Sequence, residues 1–355
     1  MFAQTKALLT ALLVFTAGSA AAVNISGAGS SAAAPLYGKL SDYYVRNKDM
    51  KIDYQPVGSS AGIEQIKSGA VDFGASDVSL SAQDAKKFKL ICFPSVISGV
   101  VPVLNVPGIK SEQLRLNGAL LADIFSRKLT MWNDPALLAL NPGVKLPALA
   151  ITVLVRLDGS GTTYNFTDYL SKVSPAWKQS YGKNFTIAWP AAATQIKGSA
   201  AVAAAVKLKP GAISYVDFNY VVQDKLTFPK MLNQDGKFVA PGAQSFGAAL
   251  ANSSWASAAT YEEALTDKPG ADSWPITMGT FVIVPQVTGK PERTIATLKF
   301  FTWAFMNGDA IVGDLNFVRL PDRVQARIYG ALVKISDTAG APLRWSLAEV
   351  LNDKH

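Results

Sequence analysis

The chain of 355 residues contains a single cysteine and a single histidine. Cys92 has no second cysteine for an intramolecular disulfide, so packing must stabilise the fold, and its apolar neighbours favour a buried, inert thiol. The histidine is His355, the last residue. Its position argues against Ser-His-Asp and Cys-His catalysis and against a histidine-rich metal site. We therefore expect neither a metal ion nor a cofactor.

Long apolar segments are also missing from the sequence after residue 22. No segment there has the roughly 18 uninterrupted apolar residues that a membrane-spanning helix needs. Residues 1–22 combine one charged side chain, Lys6, with an apolar stretch and a run of small residues ending at Ala22. This pattern predicts a secretory signal peptide cleaved after Ala22. Because the only cysteine is far downstream, we expect an exported, soluble protein without a cysteine-led lipid anchor.

The charge balance is basic but not clustered. The formal net charge is +8 at pH 7, yet lysine and arginine are dispersed among acidic residues. A nucleic-acid-binding protein usually carries a basic patch or stripe, so the sequence argues against that class. Removing 22 of 355 residues leaves 333, and 49% of the chain is hydrophobic. That length is sufficient for two α/β lobes, each with its own core.

Three segments share the order strand, small polar turn, helix. Their turns are GAGSS at 27–31, GSSAG at 58–62 and RLDGSGTT at 156–163. Ordinary strand–helix loops are one interpretation. However, hydroxyl residues beside glycine at all three turns favour a shared anion site, because helix N-termini offer free N–H groups. Arg156 adds a planar fork that suits phosphate-like oxygens.

Other segments give a coarser prediction. We expect helices at 119–130, 200–208 and 294–306, the last with Ile295, Leu298, Phe301 and Phe305 facing the core. Apolar runs predict strands at 149–155, 212–216 and 281–284, and a strand at 96–106 that crosses between lobes. Residues 225–272 are weakly periodic and receive no assignment. The end of the chain, 343–353, suggests a last short helix.

Several motifs together point to one family. They occur in the order GAGSS at 27–31, VGSSAGIEQI at 57–66, VDFGASD at 71–77, LNPGVKLP at 140–147, VRLDGSGTTYNFTDYL at 155–170, PGAISYV at 210–216, SWPIT at 273–277 and LKFFTWAF at 298–305. With these motifs, nearly the whole mature chain resembles the PstS-type periplasmic phosphate-binding proteins, the soluble receptors of phosphate ABC importers.

The resemblance implies a two-lobed α/β periplasmic binding protein fold (type II) with two crossings that form a hinge. It implies a discontinuous first lobe, residues 23–97 plus 275–355, and an inserted second lobe, residues 98–274. It also implies a periplasmic monomer that binds inorganic phosphate and delivers it to membrane permease subunits, with no catalytic role.

The resemblance further implies a phosphate site built from both lobes. By position, the family's ligands fall on Ser31, the backbone N–H of Ala32, Ser59, Asp77, Arg156, Ser160, Gly161 and Thr162. Asp158 matches an acidic residue beside the family's arginine. Two positions depart from the family. Ser31 replaces a common threonine and keeps its hydroxyl, whereas Ala32 replaces a bulky aromatic that would help to exclude water, which affects expected affinity more than ligand identity.

Asp77 is the residue expected to distinguish between anions. From the local sequence alone it is a helix N-cap candidate. In a phosphate site, its carboxylate accepts a hydrogen bond from protonated phosphate, whereas sulfate is unprotonated at neutral pH and presents only repulsion. Two alternatives remain at this stage: the same fold tuned to sulfate or another oxyanion, and a secreted phosphatase with Ser160 or Thr162 as nucleophile. The phosphatase would lack a well-placed base or metal cluster.

Overall fold

The computed structural model describes residues 23–352 except 47, 49 and 259. The predicted signal peptide at 1–22 lies outside the described residues. Within the described part, no helix has both the length and the apolar character needed to cross a membrane.

Eight of the strands form one sheet, in the spatial order β2-β1-β3-β11-β4-β8-β6-β7. Three short strands form a second sheet, β10-β9-β5, and β12 pairs with β13. The strands are β1 Ile25–Gly29, β2 Ile52–Gln55, β3 Phe73–Ser76, β4 Leu90–Leu104, β5 Arg115–Leu116, β6 Thr152–Arg156, β7 Thr194–Ile196, β8 Ala212–Asp217, β9 Lys230–Leu232, β10 Phe238–Val239, β11 Thr277–Pro285, β12 Val287–Thr288 and β13 Ser336–Asp337.

Helices occupy most of the segments between the strands along the chain. They are α1 Ala34–Tyr44, α2 Ser59–Lys67, α3 Ala82–Phe88, α4 Gly118–Phe125, α5 Pro135–Leu140, α6 Gly161–Val173, α7 Pro175–Ser180, α8 Ser199–Leu208, α9 Phe218–Asp224, α10 Ala243–Ala251, α11 Pro291–Asn307, α12 Asp309–Asp314, α13 Asp322–Leu332 and α14 Leu347–Asn352. A short 3-10 helix spans Ser254–Ala256.

The molecule has two lobes joined by two long strands. The first lobe contains the parallel strands β1, β2 and β3 with the helices that follow them, and the second contains the parallel strands β6, β7 and β8 with theirs. β4 and β11 run antiparallel to each other through the middle of the sheet. Their sequences are nearly continuous apolar runs because strands covered on both faces must be apolar on both.

The register of β4 brings the carboxyl ends of both parallel sets together. Ser76, at the end of β3, pairs with Phe281, which pairs with Pro94. Asp217, at the end of β8, pairs with Val100 on the other side of β4. Both sets of strands therefore end near the middle of one shared strand, and the loops that follow them face each other. In open α/β sheets, such loops form the ligand crevice.

The structure confirms all three predicted strand–turn–helix junctions, and it corrects several other element predictions. The helix expected at 119–130 ends at Phe125, because Arg127 has a positive φ of 65°. The unassigned stretch 225–272 holds β9, β10 and α10. The crossing strand starts at Leu90 rather than at residue 96.

The core-facing side of α11 also differs from the prediction. Ile295 and Phe305 are half-buried, whereas Phe300 and Trp303 are buried. Helical spacing alone cannot place the centre of a buried face when aromatic residues occupy two adjacent faces. Here Trp303 packs against Tyr44 with ring centroids 5.2 Å apart, so α1 covers a side of α11 that the predicted face does not include.

Candidate functional site

The turn after β1 carries two buried serines with different partners. Ser30 Oγ accepts hydrogen bonds from the backbone N–H groups of Ala32 (3.1 Å) and Ala33 (3.3 Å), and donates to Asp77 Oδ1 (2.6 Å). Ser31 Oγ lies 2.9 Å from Ser199 Oγ. The predicted anion donor, the Ala32 N–H, therefore contacts Ser30 in this structure, while the Ser31 hydroxyl faces the second lobe.

Asp77 follows β3 and is buried, with 3% of its surface exposed. Its Oδ1 accepts from Ser30 Oγ and from Thr280 Oγ1 (2.7 Å), and its backbone N–H donates to Ser59 Oγ (3.2 Å). Burial raises the pKa of the Asp77 carboxyl, and these hydroxyl donors together with the charge of Arg156 offset part of that rise. Asp77 is thus a buried carboxyl within the electrostatic reach of Arg156.

Arg156, at the end of β6, is held by Asp158. Its Nε donates to Asp158 Oδ1 (2.8 Å) and its Nη2 to Asp158 Oδ2, which makes the pair bidentate. Burial by itself would raise the pKa of Asp158, but the hydrogen bonds and charge of Arg156 outweigh it and hold that pKa below its ordinary value. The Arg156 side chain is only 1% exposed. Its orientation is therefore fixed before any ligand arrives.

Arg156 keeps donor capacity for a ligand. A guanidinium has five N–H groups. Nε, Nη2 and Nη1 each donate once, the last to Ser199 Oγ at 2.8 Å. One N–H on each terminal nitrogen remains beyond these bonds, so the guanidinium can still donate to the oxygens of an anion.

The N-terminus of α6 supplies the predicted donors of the second lobe. Ser160 is the N-cap, and its Oγ accepts from Thr163 N–H (3.2 Å). The Gly161 N–H donates to Ser59 Oγ of the first lobe (3.1 Å). Thr162 Oγ1 is buried and has no hydrogen-bond partner within the described structure. A buried hydroxyl without a hydrogen-bond partner costs free energy. Because Thr162 lies at a helix N-terminus, its position favours a hydrogen bond from its hydroxyl to an anion.

Direct hydrogen bonds join the two lobes around this site, so the structure is closed. They link Ser60 N–H to Gly159 O (3.0 Å), Asn165 Nδ2 to Asp77 O (2.7 Å), Asn219 Nδ2 to Ala32 O (2.9 Å), Tyr220 Oη to Ser31 O (2.9 Å) and Gly161 N–H to Ser59 Oγ. Glycine permits this approach: a Cβ built on Gly161 would lie 2.5 Å from Ser59 Oγ and 2.7 Å from Asp77 Cβ.

The structure thus brings the predicted site residues into one buried cluster between the lobes. Sequence reasoning missed Ser30, Thr280, Ser199 and the bridging Asn165, Asn219 and Tyr220. Ser30 stands in a turn that had been singled out, and Ser199 follows Gly198 at a helix start, so both carried a local signal. Thr280 lies inside β11, and nothing in its local sequence marks it. Among the described residues, no group of three or more His, Cys, Asp or Glu side chains could hold a metal ion.

The fold and the cluster define a two-lobed solute-binding protein with an anion-type site, and comparison with known proteins agrees. Residues 16–307 match the family model described as a PBP superfamily domain. The phosphate-binding protein PstS of Pasteurella multocida is 42% identical over 324 residues, covering 91% of this chain and 94% of that protein. PstS of Xylella fastidiosa is 42% identical over 306 residues, covering 86% and 84%.

A solved structure of a phosphate-binding protein from Stenotrophomonas maltophilia superimposes with a TM-score of 0.67 at 20% identity, covering 87% of this chain and 94% of that one. At 20% sequence identity, this structural similarity shows a shared fold and nothing more. The identity and coverage of the relatives are decisive for family: the chain belongs to the PstS phosphate-binding proteins.

Proposed function

We propose that this protein binds inorganic phosphate between its lobes in the periplasm and delivers it to the permease of a phosphate ABC importer. The observation that carries the proposal is a buried carboxyl, Asp77, in the same closed cluster as Arg156 and the N-terminus of α6. Donors alone would suit any oxyanion. The added acceptor suits an anion that still carries a proton, which phosphate does and sulfate does not at neutral pH.

The ligand set that we propose is the one implied by family resemblance. It comprises Ser31, the Ala32 N–H, Ser59, Asp77, Arg156, Ser160, the Gly161 N–H and Thr162, with Asp158 orienting Arg156. In the structure the Ala32 and Gly161 N–H groups donate to Ser30 and Ser59. When phosphate binds, each N–H group exchanges its serine acceptor for a phosphate oxygen. The Ser59 hydroxyl accepts in both of its hydrogen bonds, so its own hydrogen is available to phosphate.

We also propose the division of the chain and its cellular route. Residues 23–97 and 275–355 form the first lobe, and 98–274 the second, with β4 and β11 acting as the hinge. A signal peptide cleaved after Ala22 exports the protein, which works as a monomer. Ligand contacts with both lobes favour closure, because phosphate then gains contacts that the open form lacks.

Calorimetry with phosphate, sulfate and arsenate from acid to mildly alkaline pH tests the proposal. We expect tight phosphate binding, and sulfate binding weaker by up to about 10⁴-fold, because Asp77 would face an unprotonated anion. No phosphate binding at millimolar concentration would refute the proposal, and tight sulfate binding would assign the fold to another oxyanion.

A catalytic role is the second candidate, and we propose that it is absent. The phosphatase interpretation needs Ser160 or Thr162 as nucleophile with an adjacent base. In the described structure Ser160 Oγ caps α6, and Thr162 Oγ1 has no hydrogen-bond partner that could act as base. Hydrolysis of a phosphate ester with added divalent metals, lost in Ser160→Ala, would overturn this view.

A further inference from the structure

Ser199 is a buried serine that is not among the predicted site residues. It is the first residue of α8, and 1% of its surface is exposed. Its hydroxyl lies 2.8 Å from Arg156 Nη1 and 2.9 Å from Ser31 Oγ. These are proposed phosphate ligands from opposite lobes, so the Ser199 hydroxyl connects the two lobes at the anion site.

Capping of its own helix does not account for this hydroxyl. The residue before α8, Gly198, makes no side-chain cap, and its φ is 83°. The hydrogen bonds of Ser199 Oγ within the described structure go to other segments of the chain. In addition, the Gly198 N–H donates to Asp158 Oδ1 (2.9 Å), which ties the start of α8 to the carboxylate that orients Arg156.

The direction of the hydrogen bonds follows from their chemistry. A guanidinium only donates, so Ser199 Oγ must accept from Arg156. The Ser199 hydrogen is then available for Ser31 Oγ, and the Ser31 hydrogen is in turn available for an anion. Each bond in such a chain polarises the next, so the charge of Arg156 strengthens the donor power of Ser31.

We infer that Ser199 is a positioning residue for the anion: it relays the hydrogen bond of Arg156 to Ser31 and thereby holds the lobes closed on phosphate. This inference rests on the proposed function. Because the relay forms only when the lobes meet, its loss affects release of the ligand more than capture. Two further hydrogen bonds hold the Ser31 turn against the second lobe: Tyr220 Oη donates to Ser31 O, and Asn219 Nδ2 donates to Ala32 O.

The test measures phosphate affinity by calorimetry and the release of radiolabelled phosphate into excess unlabelled phosphate by rapid filtration. We expect Ser199→Ala to weaken affinity by about tenfold, which is typical of one hydrogen bond to a charged group, with most of the change in the release rate. Ser214→Ala is the matched control, since Ser214 is a buried serine of the same lobe whose hydroxyl donates to Leu154 O. It should release phosphate at the wild-type rate.

A double-mutant cycle separates a relay from a merely structural role. If Ser199 acts through Ser31, then Ser199→Ala made in a Ser31→Ala background should change affinity less than about threefold. An equal tenfold loss in both backgrounds would overturn the relay, and so would wild-type release by Ser199→Ala. If the unmodified protein binds no phosphate, the proposed function fails and this inference with it. If wild type binds phosphate and Ser199→Ala binds and releases it in the same way, the relay is refuted but the proposed function is not.

Discussion

At the scale of single residues, Asp77 is the group that we propose determines which anion fits. It is a buried acceptor among donors, and Ser30 and Thr280 both occupy its Oδ1. These two hydroxyls fix the carboxylate plane and stabilise its charge without a basic side chain in direct contact. The carboxylate is therefore held in one orientation, in which we propose that it accepts an O–H of the ligand.

Asp77→Asn should reduce discrimination between anions. The amide offers a donor where the carboxylate offered only an acceptor, so sulfate loses its main repulsive contact. We expect the ratio of phosphate to sulfate affinity to fall at least tenfold. An unpaired buried group can impose discrimination of up to ~10⁴-fold, which sets the upper limit of this change. Competition calorimetry measures it. Asp235→Asn, at an exposed loop position, removes the same charge and should keep the wild-type ratio; an unchanged ratio in Asp77→Asn would contradict the prediction.

Asp217 is a second buried carboxyl near the lobe boundary, and it predicts a pH dependence of stability. Burial raises its pKa from 3.8 to about 7, and the nearby Asp77 charge adds to the rise. The folded protein therefore holds a proton that the unfolded chain releases at lower pH. Its stabilising contribution is complete below the unfolded pKa and is lost as pH rises through about 7.

Asp217→Asn removes this titration while keeping the side-chain shape. Relative to the variant, wild type should lose free energy of unfolding steadily between about pH 4 and pH 7 and show no further relative loss above it. Urea unfolding at a series of pH values measures the difference. A difference that stays constant across this range would show that Asp217 does not titrate there.

At the scale of elements, the site is formed where strands end and helices begin. The helices α2, α6 and α8 start with Ser59, Gly161 and Ser199. Ser59 and Gly161 contact each other across the lobes, and Ser199 contacts Arg156. Their N-terminal N–H groups and dipoles add positive potential without adding formal charge. This explains why a site with one arginine and two carboxylates, Asp77 and Asp158, still suits an anion.

Ser160→Ala tests this arrangement, because Ser160 is both the cap of α6 and a proposed ligand. Loss of the cap should cost about 1 kcal/mol of unfolding free energy, and phosphate affinity should fall as well. Ser81→Ala is the matched control: Ser81 caps α3 by accepting from Asp84 N–H (3.1 Å). It should lose similar stability and keep full affinity. If Ser160→Ala and Ser81→Ala bind phosphate equally well, Ser160 caps its helix and is not a phosphate ligand.

At the scale of the whole molecule, closure depends on small residues at the lobe boundary. Gly161 approaches Ser59 and Asp77 so closely that a side chain there would collide with the other lobe. All three nearest atoms belong to the first lobe, so separation of the lobes would relieve the collision. Its cost should therefore appear in ligand binding rather than in folding.

Gly161→Ala should weaken phosphate binding by about ten- to a hundredfold, the equivalent of 1–3 kcal/mol of overpacking, and leave thermal stability without ligand unchanged or slightly higher. Calorimetry and thermal unfolding with and without phosphate measure both. Gly313→Ala is the control, since a Cβ there meets nothing within 4 Å. Wild-type affinity in Gly161→Ala would show that the lobes tolerate a wider separation than this structure has.

Local sequence identified much of the site because the physical requirements there are local. A helix start needs small capping residues, and a turn close to an anion needs glycine; both requirements appear as GAGSS, GSSAG and GSGTT. Ser31, Ser59 and Ser160 were found for this reason. Family resemblance then assigned their roles, and it assigned Asp77 a role that its own neighbourhood does not reveal.

Tertiary structure alone decided which side chains meet. β4 pairs with β11 at one end and β8 at the other, so the carboxyl ends of two separate strand sets converge on its middle. That register places Thr280 against Asp77 across 203 residues, and Ser199 against Ser31 across 168. No local pattern encodes such contacts, because they depend on the sum of many long-range pairings. The sequence by itself determined the turns that we propose bind the anion, and the shared strand determined that they form one closed cluster.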